Sequence, residues 1–165
     1  MTLAEAAARA DELSAQGAER ELADLRKQWD DEVEAAARDA DYRVRAQAYR
    51  AIGQFRYRQK LELLRRGLED ESPACRGSAL ISLELLSRDH PSTVNAERPL
   101  LHRMVATDSN EAVRRLAVLS LKNGSPQRDS ILILQSLADD DEADAALRQS
   151  AKKVADLLVR KSRTR

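Results

Sequence analysis

Apolar residues recur along this chain in steps of three and four, the period that lines one face of an α-helix. The stripes come in pairs. Leu22, Leu25, Trp29, Val33 and Ala36 precede Val44, Ala48, Ala51 and Phe55, and Tyr57, Leu61, Leu64 and Leu68 precede Cys75, Ala79, Ser82 and Leu86. Further on, Leu100, Leu101, Met104 and Val105 precede Val113, Ala117, Ser120 and Gly124, and Ile131, Leu134 and Leu137 precede Leu147, Ala151, Val154 and Leu158. Each pair predicts a helical hairpin. Thr2 with Glu5 forms a capping box opening one further helix, and Gly17 is placed to end it. Nine helices are therefore expected, with residues 1–17 as an N-terminal capping helix on the first hairpin. Gly53, Gly124 with Pro126, and the segment Asp89, His90, Pro91, Ser92 are read as punctuation between hairpins.

The second helix of every hairpin carries the same signature, centred on Arg45, Arg76, Arg114 and Arg148, with spacings of 31, 38 and 34 residues. Self-similarity at such a period marks stacked supersecondary units. Six residues before each arginine stands Asp39, Asp70, Asp108 or Glu142, and four before stands Asp41, Ser72, Asn110 or Asp144. All of the second set are N-cap residue types, so a helix should begin just after each, with Pro73 at a first helical position. Three residues after each arginine the chain places Ala48, Ala79, Ala117 and Ala151. A small side chain there lets helices approach closely, so the repeat is one of packing positions.

This pattern resembles the HEAT repeat, especially the short bacterial form also found in phycobilisome-lyase-type proteins. Asp39 with Val44, Arg45 and Ala48, and Asp108 with Val113, Arg114 and Ala117, carry the likeness. Weaker copies stand at Asp70, Cys75, Arg76, Ala79 and at Glu142, Leu147, Arg148, Ala151, and the resemblance covers roughly residues 18–160. It implies an all-α, right-handed α-α superhelix of about four hairpins plus the N-terminal helix, in one domain over residues 1–165. It also implies a ladder in which the acidic turn residue of one repeat meets the arginine of its neighbour, least secure where Cys75 replaces Val and Glu142 replaces Asp.

Composition agrees with this class: aromatics are 3% and charged residues 34%, which suits helices with Ala and Leu inside and ions outside. The 28 basic and 28 acidic side chains cancel, which argues against a general nucleic-acid or membrane binder held by bulk charge. A single cysteine, Cys75, allows no internal disulfide and no cysteine-based zinc site. The start of the chain lacks a basic segment followed by an apolar run, so a cytoplasmic protein is expected.

Candidate chemistry is sparse. Cys75 occupies the place of Val44, Val113 and Leu147 and reads as a small core residue. His90 and His102 stand twelve apart, without a second His or Cys at ligand spacing. The acidic run from Asp139 to Asp144 lacks the Gly and Glu that a calcium loop needs at its sixth and twelfth places, and reads as a turn favouring a helix amino end. No catalytic residue, cofactor, metal or small-molecule substrate is expected.

One segment stands out. Residues 41–66 hold Arg43, Arg45, Arg50, Arg56, Arg58, Lys60, Arg65 and Arg66 against Asp41 and Glu62, with Tyr42, Tyr49, Phe55 and Tyr57 among them. Tyr42, Arg43, Tyr49, Arg50, Arg56, Arg58 and Lys60 form the candidate partner-binding patch, since interfaces favour Tyr and Arg. The other reading packs the tyrosines on an adjacent helix and pairs the cations with acidic residues between 19 and 34. The expected activity is a noncatalytic scaffold or adaptor for a protein or peptide. The alternatives are nucleic-acid binding in a basic groove, with Lys152, Lys153 and the basic tail at 160–165 converging, and a bilin-lyase-like factor implied only by the resemblance.

Overall fold

The computed structural model describes residues 1–164, and among them every regular element is helical. The helices are α1 Leu3–Ala15, α2 Glu19–Ala36, α3 Tyr42–Gln54, α4 Leu61–Leu68, α5 Pro73–Ser87, α6 Ser92–Thr107, α7 Glu111–Ser120, α8 Arg128–Ala138 and α9 Ala145–Arg163. Short 3-10 turns lie at Arg58–Lys60 and Leu121–Asn123. The chain gathers into two compact units, Met1–Leu86 and the part from Ser87 onward. In the first, α1 packs on α2 and α3, and α3 packs on α2 and α4. In the second, α6 pairs with α7 and α8 with α9, and like helices stack, α6 on α8 and α7 on α9.

Local chemistry sets the helix starts. Asp41, Asn110 and Asp144 cap α3, α7 and α9 by accepting from the amides of Arg43, Val113, and Ala146 with Leu147. Thr2 and Glu5 make the capping box of α1, and Gly17, at φ 69°, takes the left-handed position that ends it. The α6 stripe read from the sequence starts only at Leu100, yet the helix runs from Ser92 through Pro99. Within this helix the Asn95 side-chain oxygen accepts from Ser125 N at 2.9 Å and from Arg98 Nη2 at 2.7 Å, fastening α6 to the turn ahead of α8.

The four repeated alanines have no exposed surface, and the faces they lie on are the buried ones. Gly53 does not punctuate a connection as the sequence suggested. It sits in the last turn of α3, where a Cβ would fall 2.6 Å from Ser82 Oγ and 2.7 Å from Ser82 Cα. Two helix backbones meet there with no room for a methyl group, and the Gly53 amide lies 3.0 Å from the Ser82 hydroxyl oxygen. Ser82 lies in turn 2.5 Å from the Tyr49 carbonyl and 3.0 Å from that of Arg50, so its buried hydroxyl has polar partners.

The repeated arginines close the turns ahead of their own helices. Arg45 Nη1 donates to the Asp39 and Ala40 carbonyls, each at 3.0 Å, and Arg76 Nη1 donates to those of Asp70 and Glu71 at 3.0 and 3.1 Å. Arg114 Nε donates to the Val105 carbonyl at 2.8 Å. The repeated aspartates fold the same turns from the other side: Asp39, Asp70 and Asp108 each accept from the amide two residues on, which belongs to Asp41, Ser72 or Asn110. In the last repeat Asp140 performs this role toward Glu142. A glutamate at 142, one methylene longer, does not take up the geometry seen at the three aspartates.

One rung of the ladder joins these parts inside the first unit. Arg45 Nε and Nη2 reach Asp70 Oδ2 and Oδ1 at 2.9 and 3.0 Å, a two-pronged pair with side chains only 14% and 8% exposed. Burial by itself would raise the Asp70 carboxyl, but the Arg45 hydrogen bonds and the Ser72 amide hold it below its ordinary value.

Gly53→Ala is expected to destabilise the fold by about 1–3 kcal/mol, overriding the ~1 kcal/mol that alanine gains in a helix, because α3 and α5 must move apart. A urea titration with an unchanged or raised midpoint contradicts that packing. Asp70→Ala is expected to lower stability, because the Arg45 guanidinium loses its carboxylate and keeps only the Asp39 and Ala40 carbonyls. Because the folded Asp70 carboxyl titrates below its ordinary value of 3.8, the pair contributes fully above that value and its contribution is lost as pH falls through the folded one. Urea midpoints measured down to about pH 3 should therefore fall more steeply for the native chain than for Asp70→Asn.

Candidate interaction surfaces

The structure disperses the patch expected between residues 42 and 60. Tyr49 is 3% exposed and its hydroxyl donates to the Ala37 carbonyl at 3.3 Å, with burial raising its titration point. It packs against Gly67 of α4, where a Cβ would come within 2.9 Å of its ring. Lys60, 5% exposed, is held by Asp30 Oδ1 at 2.5 Å and Glu34 Oε1 at 2.8 Å, and its ammonium lies 5.1 Å from the Tyr57 ring centre. The Lys60 and Arg38 hydrogen bonds hold Glu34 below its ordinary value. The Tyr57 hydroxyl donates to the Arg26 carbonyl. These three side chains therefore tie helices together. They take no part in a free surface.

Arg56 has a role that the charge pattern hid. Its φ is 59°, and the amides of Arg56 and Tyr57 bond back to the carbonyls of Gly53 and Ile52. That is the helix-ending arrangement Gly17 provides for α1, here made with an arginine. Arg56 Nη1 also meets the Gly53 and Gln54 carbonyls and lies 3.0 Å from Asp11 Oδ1. The available signal was the apolar pair Ile52 and Tyr57, five residues apart, which matches Leu13 and Ala18 around Gly17.

What remains outward is smaller. Tyr42 is 49% exposed, Arg43 is exposed beside its own cap residue Asp41, Arg58 is exposed, and Arg50 is half-buried. On α3, Arg43, Gln47, Arg50 and Gln54 follow one another at helical spacing, a polar row beside Tyr42 and Ala46 on the outer flank. Of the eight cations counted between residues 41 and 66, Arg43, Arg45, Arg56 and Lys60 already face a carboxylate, which removes much of the charge a nucleic-acid groove would use.

A second surface, which sequence reading missed, lies in the other unit. An open groove of about 430 Å³ runs between α7 and α9, walled by Ala112, Leu116 and Leu119 on one side and by Ala146 and Leu147 on the other. Glu111 and Asp144 stand where the two helices begin, and Arg115 stands on the α7 wall. The four-residue step from Ala112 to Leu116 was visible, but the heptad-like stripe through Val113 and Ala117 dominates α7 and masked it.

The remaining candidates have structural places. Cys75 is buried with its thiol 3.2 Å from the Tyr42 carbonyl, and burial raises its titration point. His102 Nε2 lies 2.8 Å from Ser130 Oγ, and burial lowers its titration point. The basic tail does not begin at 160: α9 continues to Arg163, and Lys161 Nζ donates to the carbonyls of Lys122 at 2.6 Å and Gly124 at 3.3 Å. Arg165, the end of that tail, lies outside the described residues. Among the described residues no helix is long and apolar enough to cross a membrane.

Residues 31–96 match the family model described as HEAT repeats. This stretch belongs to the HEAT-repeat family. The match spans the end of α2 through the opening of α6, and so includes the Arg45 and Arg76 copies and the Arg45–Asp70 rung. The arginine and alanine positions of the HEAT repeats recur beyond it at Arg114 with Ala117 and at Arg148 with Ala151. The match names the repeat and no lyase, and no curated protein matches the chain.

Replacing Lys60 by Met is expected to lower stability by about 1–3 kcal/mol, since two carboxylates lose their common partner while the apolar stem is kept. Thermal melting of K60M alongside the native chain checks it, and an equal melting point would mean that Lys60 does not tie α4 to α2.

Proposed function

We propose that this chain is a noncatalytic interaction module that holds a partner protein or peptide on the outward faces of its second-position helices. HEAT repeats generally mediate protein–protein interaction. The observation that carries the reading is the division of labour within the repeat. The recurring arginines, aspartates and alanines are engaged in turns and packing, whereas the outward residues differ from copy to copy: Tyr42, Arg43 and Arg50 on α3 against Leu116, Leu119 and Arg115 on α7. A common frame with a variable face is how stacked repeats present recognition surfaces.

On α3, Tyr42 offers an amphipathic ring and Arg43 and Arg50 offer directional donors, the residue types that supply much of the energy at interfaces. A partner bearing carboxylates beside an apolar side chain fits that flank.

Affinity capture from extracts of the source cells, read by quantitative mass spectrometry, is expected to recover a specific protein. Combined Arg43→Glu and Arg50→Glu should reduce its capture about tenfold, the ~1.4 kcal/mol expected for modest interface contacts. A partner retained after both reversals removes α3 from the contact surface, and failure to enrich any protein removes the interaction reading itself.

A further inference from the structure

The groove between α7 and α9 has an apolar floor and a strongly asymmetric rim. Leu116 and Leu119 are each half-buried, so their outer surfaces are left to the groove, and Ala146 across from them is exposed. Glu111 and Asp144 occupy the end where both helices start, and the turn entering α9 adds Asp139, Asp140, Asp141 and Glu142, all exposed. Against these six carboxylates stand Arg115 on the wall and Arg148, whose Nη1 lies 3.9 Å from Asp141. The amino ends of the two helices contribute about half a positive charge each. The balance at this mouth remains negative. Further along α9, Lys153 shares the flank of Ala146 at helical spacing and is exposed, so the rim turns positive away from the mouth.

Resting on the interaction reading above, we propose that this groove receives an amphipathic helix of a partner protein whose apolar face covers Leu116 and Leu119 and whose basic end lies at the Glu111 and Asp144 mouth. The ten residues of α7 span about 15 Å, so the groove accommodates roughly three turns of a partner helix, with anchors at i, i+3, i+4 and i+7. A phosphate backbone is repelled by the same carboxylates that attract the basic end, which separates this partner from a nucleic acid.

The test uses the full chain and a fluorescein-labelled peptide of about sixteen residues, helical in design, with leucines on one face and three arginines at one end. Companions carry three glutamates in place of the arginines, or serines in place of the leucines. Fluorescence anisotropy is expected to show the basic peptide binding at least tenfold more tightly than the acidic one, with that preference shrinking as salt rises. Combined Glu111→Lys and Asp141→Lys should abolish the preference. Asp144 is left intact because it caps α9. Leu116→Gln should weaken the basic peptide at least fivefold, and circular dichroism checks that this variant stays folded. Equal binding of basic and acidic peptides, indifference to the serine companion, or unchanged affinity in the Glu111 and Asp141 double variant each overturns the proposal. So does a groove-dependent self-association seen by sedimentation, which would make the occupant a second copy of this chain. A captured partner that still binds the Leu116→Gln variant leaves the interaction reading standing and removes this groove alone.

Discussion

Close approach between neighbouring helices is the constraint on which this chain is built. The repeated alanines are wholly buried, and at Gly53 the α3 backbone comes so near Ser82 that even a methyl group would collide. Dispersion falls off steeply with distance, so helices that can nest gain many small contacts that bulky residues would forbid. With few aromatics, the core is built from leucine, valine and alanine side chains that pack by this route.

Nesting two helices this tightly exposes the turns between them to a second demand. Carbonyls at the ends of the first helices and in the turns after them are left without intrahelical partners. The repeated guanidinium meets that demand with a flat array of donors, two toward turn carbonyls and two toward a carboxylate in the case of Arg45. A lysine offers no such fork. The repeat thus couples packing to turn closure, and both parts must be present for successive hairpins to fit.

With the inward and turn positions committed, variation is confined to the outward flanks, and there the two units differ in kind. The first presents a tyrosine with cations on α3, and the second an apolar groove with an acidic mouth between α7 and α9. Each flank is built by ordinary helical spacing on a frame whose rigidity comes from elsewhere, which allows recognition to change without disturbing the fold.

Helix number, caps and the buried faces were legible in the sequence, because helical period and N-cap chemistry are local: Asp41, Asn110 and Asp144 act on amides two or three residues away. The same holds for the alanines, whose recurrence carries their burial with it. The fate of the long polar side chains was not legible. Lys60 finds Asp30 and Glu34 at separations of 30 and 26 residues, and Tyr57 finds a carbonyl of α2, so their neighbours exist only once the hairpins are stacked. A periodic pattern says that such a residue lies off the main apolar stripe. Whether it faces solvent, a partner or the back of another helix is decided by what the tertiary fold brings opposite it, and for the same reason the α7 and α9 groove, made by two helices distant in sequence, could be seen only in the folded chain.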